Sequence, residues 1–513
     1  MLALYVSNAA EVEPARVAWV VLAAVAAAAI LLAAFAGIFR DLKRGALAAS
    51  LVLLLFFTYG HAFDLALELG WPTRHHLLHV VLGGAWVAIL TWGALRLRRA
   101  AASRLDDLTR AATIMAAILV ALSAARLPWA VALDEAGARR GAEAAHAKTG
   151  AARRARAAAP PAAAPDVYYI ILDGYARADV LERVFQFDNG VFLAALERRG
   201  FFVASKSLAN YSQTYLSLAS SLNMSYLDEA KWAPGRDRKA RLPYYRLIQD
   251  PLVGRLFRAR GYRFVHFATN YGGTEESRIA DEVVRFRPRW LRGEFMAVLF
   301  RSTALRPFEP SLAEVYRRMF DRLVEQARAP GPKLVFVHFT LPHNPYVFDR
   351  EGNVREDIPL ALQWTEKTGG WANRAAYVAQ LEYVNRRVIE TVDALLARSA
   401  VRPVILLQAD HGSAFTLPTQ DDASVARVRA FLWERLSILN AFLVPDELRS
   451  QLDPELSPVN SFRIVCNGLI DTDLELLPNR HYFSWYEDDG ELQDVTRIVP
   501  RRAPIIEFRR RSR

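Results

Sequence analysis

Three short apolar runs in this chain of 513 residues end on groups that can do chemistry. Val167–Leu172 runs into Asp173-Gly174, Leu334–Phe339 leads to Leu341-Pro342-His343-Asn344-Pro345-Tyr346, and Val404–Leu407 is followed by Gln408-Ala409-Asp410-His411-Gly412. Each places a carboxylate or an imidazole just past an apolar strand, beside a Gly or Pro that shapes the turn. Adjacent Asp410 and His411 can both reach one cation if the backbone turns there. Two carboxylates and an imidazole make a mixed oxygen and nitrogen donor set that suits Zn²⁺ or Mn²⁺ better than Ca²⁺. Singly, an Asp-Gly after a strand is an ordinary turn and a lone loop histidine an ordinary surface or core residue. Three such ends in one chain carry the inference. A fourth feature is the hydroxyl-rich run Tyr211-Ser212-Gln213-Thr214-Tyr215-Leu216-Ser217-Leu218-Ala219-Ser220-Ser221-Leu222. It fits a helix N-cap. It equally fits a nucleophile at a helix start, where backbone N–H groups favour an anionic substrate and a cation can turn a hydroxyl into an alkoxide.

The elements that must position these groups are short and regular. Phe264–Ala268 is a further apolar strand, and the spacing predicts helices over 179–199, 213–222 and 376–399. In the last, Val378, Leu381, Val384, Val388, Val392 and Leu395 recur at helical intervals. Apolar strands alternating with helices imply an α/β fold, a largely parallel sheet covered by helices on both faces. In such sheets chemistry gathers at the carboxyl ends of the strands. Residues 166–513 suffice for one large domain.

The N-terminal part is of another kind. Val17 to Phe39 is uncharged for 23 residues, long enough to cross a hydrocarbon core of about 30 Å. Its leader carries Glu11, Glu13 and Arg16 rather than the basic start of a cleaved signal. Further spans are expected at 45–67, 77–97 and 111–133, a four-helix transmembrane region over 1–133; Asp64 and Arg126 are their weak points. Arg40, Lys43 and Arg44 follow the first span, and Arg96, Arg98, Arg99, Arg104 and Arg110 the third, against Arg74 alone after the second. The positive-inside rule then puts both chain ends outside, and residues 166–513 on the outer face of the cytoplasmic membrane. Residues 134–165, rich in Ala, Arg and Pro, read as a linker. The net charge of +11 lies largely in such short loops, so a lipid bilayer accounts for it and a nucleic-acid partner is not expected. The single cysteine, Cys466, excludes an internal disulfide and a Cys-rich zinc site.

In their order, Asp-Gly after the first strand, a hydroxyl leading a helix, a Pro-His-x-Pro loop and Asp-His-Gly after a later strand resemble the alkaline phosphatase superfamily, in its sulfatase-like branch. That branch includes sulfatases, lipoteichoic acid synthases and lipid A phosphoethanolamine transferases. The last two are similar also in having N-terminal spans before an extracytoplasmic catalytic domain. The resemblance covers roughly residues 166–415. It implies Asp173, Asp410 and His411 as ligands of one divalent metal ion, Thr214 as nucleophile and additional ligand, and His343 as a catalytic group that binds the transferred anion. Thr214 is chosen over Ser212 because Ser217 stands three residues after it, as in the family pattern, whereas Tyr215 follows Ser212 at that distance.

Two departures narrow the expectation. Sulfatases of this branch carry Cys or Ser followed by x-Pro-x-Arg, which directs formylglycine formation; Thr214 is followed by Tyr215, Leu216, Ser217 and Leu218, and threonine cannot become that aldehyde. Two-zinc members place an Asp four residues before a His, but Phe339 stands four before His343; His338 is one residue off, and His481 lies in no recognisable motif. The expectation is a membrane-anchored, metal-dependent transferase or hydrolase of phosphodiester head groups, with a phospholipid or other anionic ester as donor and an unknown envelope acceptor. A sulfuric-ester hydrolase and a catalytically silent membrane scaffold or sensor are the alternatives. The tail, including Ser457–Asn460 and Asn479–Tyr486, has no assigned role.

Overall fold

Long apolar helices and short buried strands need different surroundings, and the chain separates into two compact units accordingly. The computed structural model describes residues 14–71, 75–125, 164–227, 241–288, 291, 293–355, 371, 373–418, 424–485 and 492–502.

The first unit holds helices α1 (Pro14–Phe39), α2 (Leu42–Glu68), α3 (His75–Arg99) and α4 (Ala102–Ala125), each long and apolar enough to cross a membrane. Arg40, at φ 51°, breaks α1 from α2, and the Asp41 carboxylate accepts the Arg44 N–H to start the second helix. Leu22, Val25, Ile30, Leu119 and Leu122 are exposed, an apolar surface suited to hydrocarbon. The fourth helix begins earlier than the expected 111. Arg104 and Arg110 therefore stand on its first turns and not in a loop. That charged end is stabilised locally: Lys43 pairs with Asp106, and the Arg44 guanidinium donates to the Leu97 and Ala100 carbonyls. Residues 126–133, with Arg126, and the linker up to residue 163 lie outside the described residues. Residues 293–310, expected with the C-terminal domain, cluster instead with these helices. Phe295, Met296, Leu299 and Phe300 of the helix Gly293–Ser302 bury themselves against Val17 and Val20 of α1.

The second unit is built on a seven-stranded sheet in the order β2-β7-β6-β1-β5-β3-β4. Its strands are β1 (Val167–Leu172), β2 (Phe202–Val203), β3 (Arg263–Phe267), β4 (Glu282–Val284), β5 (Lys333–Phe339), β6 (Val404–Gln408) and β7 (Asn440–Leu443). Neighbours from β6 to β4 run parallel, and only β7 and β2 add antiparallel pairs at one edge. Every residue of β1 is buried. Successive side chains of a strand face opposite ways, so both faces of the sheet must be covered. On one of them Val167, Tyr169 and Ile171 share a core with Leu216, Ala219 and Leu222 of the helix Thr214–Asn223, and with Phe462 and Val465 of Pro458–Ile470. The single helix expected over 179–199 is two, Ala178–Phe185 and Gly190–Arg198. Gln186 adopts the left-handed conformation that closes the first, and the Asp188 carboxylate accepts the Gly190 N–H as the second begins. The central trio β6-β1-β5 brings three carboxyl ends to one edge.

Candidate metal centre

Asp173 leaves the end of β1 with its backbone fixed on both sides: its N–H donates to the Phe339 carbonyl at 3.0 Å, and its carbonyl accepts the His343 N–H at 3.1 Å. The turn needs Gly174. Its φ is +68°, and a Cβ there would lie 2.8 Å from the Trp371 ring and 3.3 Å from the His343 ring. Across the edge, Gly174 N–H donates to Asp410 Oδ1 at 3.0 Å, which aims the other oxygen of Asp410 inward.

Asp173, Asp410 and His411 converge there, all buried, with one donor atom of each within 4.8 Å of the others. His411 Nε2 lies 3.6 Å from Asp173 Oδ1 and 3.3 Å from Asp410 Oδ2. Its Nδ1 stands 2.9 Å from the Gly412 carbonyl, so the ring hydrogen sits on Nδ1 and Nε2 presents a lone pair to the cluster. Thr214 Oγ1 is 3.1 Å from the same Nε2. Thr214 opens its helix, and the residue before it, Gln213, makes no side-chain capping bond.

The electrostatics of this group are unbalanced. Asp173 Oδ1 and Asp410 Oδ2 are buried with no hydrogen-bond partner. Burial, and then the charge of Asp173, push the Asp410 carboxyl up to about 6. Burial opposes ionisation of Asp173 too, but His343, His338 and His411 together hold it below the usual carboxylate range. Burial and the positive charge of Arg435 hold the His411 imidazole well below its ordinary value, as the neutral base. Two unpartnered carboxylate oxygens, a neutral imidazole nitrogen and a hydroxyl oxygen form a donor set that fits a divalent cation.

His343 stands at the rim, half-buried, its ring 6.0 Å from that of His411 and 4.8 Å from Trp371. Its Nδ1 lies 2.7 Å from the Asn344 carbonyl, and Gln380 donates to the Pro342 and His343 carbonyls, holding the loop. Ser212, the competing nucleophile, faces elsewhere: its hydroxyl donates to the Ser484 carbonyl at 3.2 Å and accepts the Ser484 N–H at 3.1 Å.

Four contributors escaped the sequence reading. His338 Nε2 lies 3.4 Å from Asp173 Oδ2, while its Nδ1 is 3.1 Å from the Thr274 hydroxyl. Ser217, read only as a spacing marker, donates its hydroxyl to the Asp410 carbonyl at 2.7 Å, tying the Thr214 helix to the ligand loop. Buried Arg435 donates to the Ser212 carbonyl at 2.8 Å and to the Gly412 carbonyl at 3.1 Å, bridging the same two loops. The tail supplies the fourth: Ser484 holds Ser212 and Gln213, and His481 Nδ1 meets the Ala209 carbonyl at 2.9 Å. The segment 479–484 thus fixes the approach to Thr214. Strand alternation was the one signal that could have found His338, since it pairs with Ile171 in the register of β1 and β5.

No protein-family model and no curated protein matches the sequence. Among solved structures, the chain is similar to the periplasmic domain of phosphoethanolamine transferase EptC from Campylobacter jejuni, at 13% identity and a TM-score of 0.39 over 61% of this chain and 92% of that one. It is similar to the integral membrane lipooligosaccharide phosphoethanolamine transferase EptA from Neisseria meningitidis at 14% identity and a TM-score of 0.36, covering 75% of this chain and 74% of that one. A putative sulfatase, YidJ from Bacteroides fragilis, matches at 13% identity and a TM-score of 0.38 over 64% and 83%.

Proposed function

We propose that this chain is a membrane-anchored transferase or hydrolase of phosphodiester head groups, working on the outer face of the cytoplasmic membrane with Thr214 as its nucleophile. The observation that carries the reading is the position of Thr214 Oγ1, 3.1 Å from His411 Nε2 at the start of a helix and beside two unpartnered carboxylate oxygens. Asp173, Asp410, His411 and the Thr214 hydroxyl would hold one divalent cation, Zn²⁺ or Mn²⁺, which when bound supplies Lewis acidity and lowers the proton affinity of that hydroxyl.

The chain's own groups do the rest. Nδ1–H of His411 is held by the Gly412 carbonyl, which would leave the Nε2 lone pair for the cation, and the Thr214 proton passes to water. The Thr214 oxygen then attacks phosphorus. A bond from Thr214 to phosphorus forms, the bond to the lipid alcohol breaks, and that alcohol leaves with a proton. His343, its Nδ1 engaged with Asn344, offers Nε2 for that transfer. The start of the Thr214 helix, with its positive dipole end, stabilises charge on the phosphoryl oxygens. An acceptor hydroxyl or water next attacks the same phosphorus and releases Thr214. Arg435 and Ser217 keep the two loops in register throughout. Threonine at this position favours phosphodiesters over sulfate esters, because no formylglycine can form. Mass spectrometry of protein purified from its own membrane tests the reading. A head-group phosphate adduct on Thr214 is expected; an adduct elsewhere, with turnover surviving Thr214→Ala, would end it.

A further inference from the structure

The helix Gly293–Ser302 and the residues after it make contacts that belong to a membrane interior. Ala304 N–H donates to the Phe56 carbonyl of α2 at 2.9 Å. Phe56 lies twelve residues before the end of α2 at Glu68, ~18 Å from that end at 1.5 Å per residue and near the middle of this helix of 27 residues. Gly60 makes this approach possible, since a Cβ there would sit 2.1 Å from the Arg301 carbonyl oxygen. Small residues let backbones meet in this way inside bilayers. The same segment packs on Val17 and Val20 near the start of α1. Val17 and Val20 lie at the end of the α1–α2 hairpin opposite its basic turn at Arg40, Lys43 and Arg44, and Phe56 lies near its middle.

The charges that this segment carries among its described side chains are paired. Arg306 meets Asp64 of α2 at 2.7 Å, lies over the Phe63 ring at 4.1 Å and donates to the Gly60 carbonyl at 3.3 Å. Arg301 meets Glu309 at 3.2 Å. Asp64, the weak point of the second span as a sequence, thereby has its counter-ion. Irregular backbone and charged groups are tolerated at membrane depth where protein satisfies them. Val298 and Phe308 remain exposed, at 39% and 74%, on a segment whose Phe295, Met296, Leu299 and Phe300 are buried.

We infer that residues 293–308 form a re-entrant element, entering the outer half of the bilayer from the extracytoplasmic side and facing acyl chains through Val298 and Phe308. The inference rests on the reading of α1–α4 as spans, and its readout is independent of turnover. In a Cys466→Ala background, single cysteines at Val298→Cys, Phe308→Cys, Leu22→Cys and Val191→Cys are labelled with an environment-sensitive fluorophore. The full chain is placed in nanodiscs of phosphatidylethanolamine and phosphatidylglycerol, with and without lipids bearing a nitroxide on the acyl chain. Labels at 298 and 308 are expected to be quenched by the acyl nitroxide as strongly as the label at 22, and aqueous iodide to reach only the label at 191. If 298 and 308 behave like 191 while 22 sees the acyl chains, the re-entrant element is overturned and the spans stand. If 22 also sees none, the membrane reading falls with it. Gly60→Val, which has no room for its side chain, is expected to lower acyl-chain quenching at 308 and leave it unchanged at 22. Unaltered quenching at 308 in that variant would overturn the docking on α2.

Discussion

Buried Glu434 and the buried pair Asp173 and Asp410 differ in one respect. Glu434 accepts from the Ser413 hydroxyl, from the Phe415 and Thr416 N–H groups and from the Thr416 hydroxyl. Asp173 and Asp410 each keep one buried oxygen with no partner. Both groups sit in the walls of the same edge, and residue type alone does not separate them. What separates them is whether the protein itself occupies the acceptor. A satisfied carboxylate organises a loop; an unsatisfied pair is a place for a cation.

This contrast breaks most visibly at the nucleophile. Thr214→Ala should lower turnover on the best phosphodiester by at least about a thousandfold, with membrane insertion and fold unchanged, since Thr214 is not the capping residue of its helix. Thr214→Ser should keep part of the rate and Ser212→Ala most of it. Wild-type rates in Thr214→Ala, measured by steady-state assay, would break the assignment.

Metal content is the next discriminator. Purified protein should carry one divalent ion per chain, and Asp410→Asn or Asp173→Asn should leave little of it by atomic emission, whereas Glu434→Gln should retain it. Loss in Glu434→Gln at full folding would erase the distinction between the two groups.

His338 sharpens it further. Its Nε2 faces Asp173 Oδ2 and not the Oδ1 that faces His411, so His338→Asn should weaken metal affinity by about 10–100-fold while leaving the stoichiometry at saturation unchanged, as titration with a competing chelator reads. A purely structural role would lower thermal stability and not affinity.

Glu434→Gln should instead cost stability, about 1.5–3 kcal/mol for charge-assisted bonds weakened in a buried site, seen as a shift of the denaturation midpoint.

The smallest effect concerns pH. Burial lowers the His266 and His481 imidazoles to about 4. Depressed folded values mean that their contribution is full above the unfolded value and is lost as pH falls through the window down to about 4. His481→Gln, which keeps a hydrogen-bonding group toward Ala209, should flatten that acid limb.

The parts legible in the sequence were those written locally. Asp173, Asp410, His411 and His343 each follow an apolar run by a few residues, and in a parallel sheet a strand end is also a site. Thr214 could be placed because Ser217 marked the register. The parts that were not legible depend on pairing between distant segments. His338 lies inside β5 and reads as a misplaced core residue until β1 is set beside it. Arg435 belongs to a helix, where an arginine ordinarily signals the solvent face; its burial against two carbonyls is a tertiary fact. The break at Gln186 hinges on one residue's conformation, against a continuous apolar period. The run Phe295–Phe300 reads as any core helix, and nothing in its composition says that it packs on α1.

The site is also a clock of assembly. Gly174 and the Asp410 carboxylate that it holds are separated by 236 residues, and β6 must dock beside β1 before His411 can face Asp173. A nascent chain that has completed β1 owns one ligand and has nothing to share it with. On the metal assignment proposed above, ion capture becomes possible only once β6 is in place, so a loaded centre certifies that β1 and β6 have met, and a molecule short of that point cannot withhold metal from its completed neighbours.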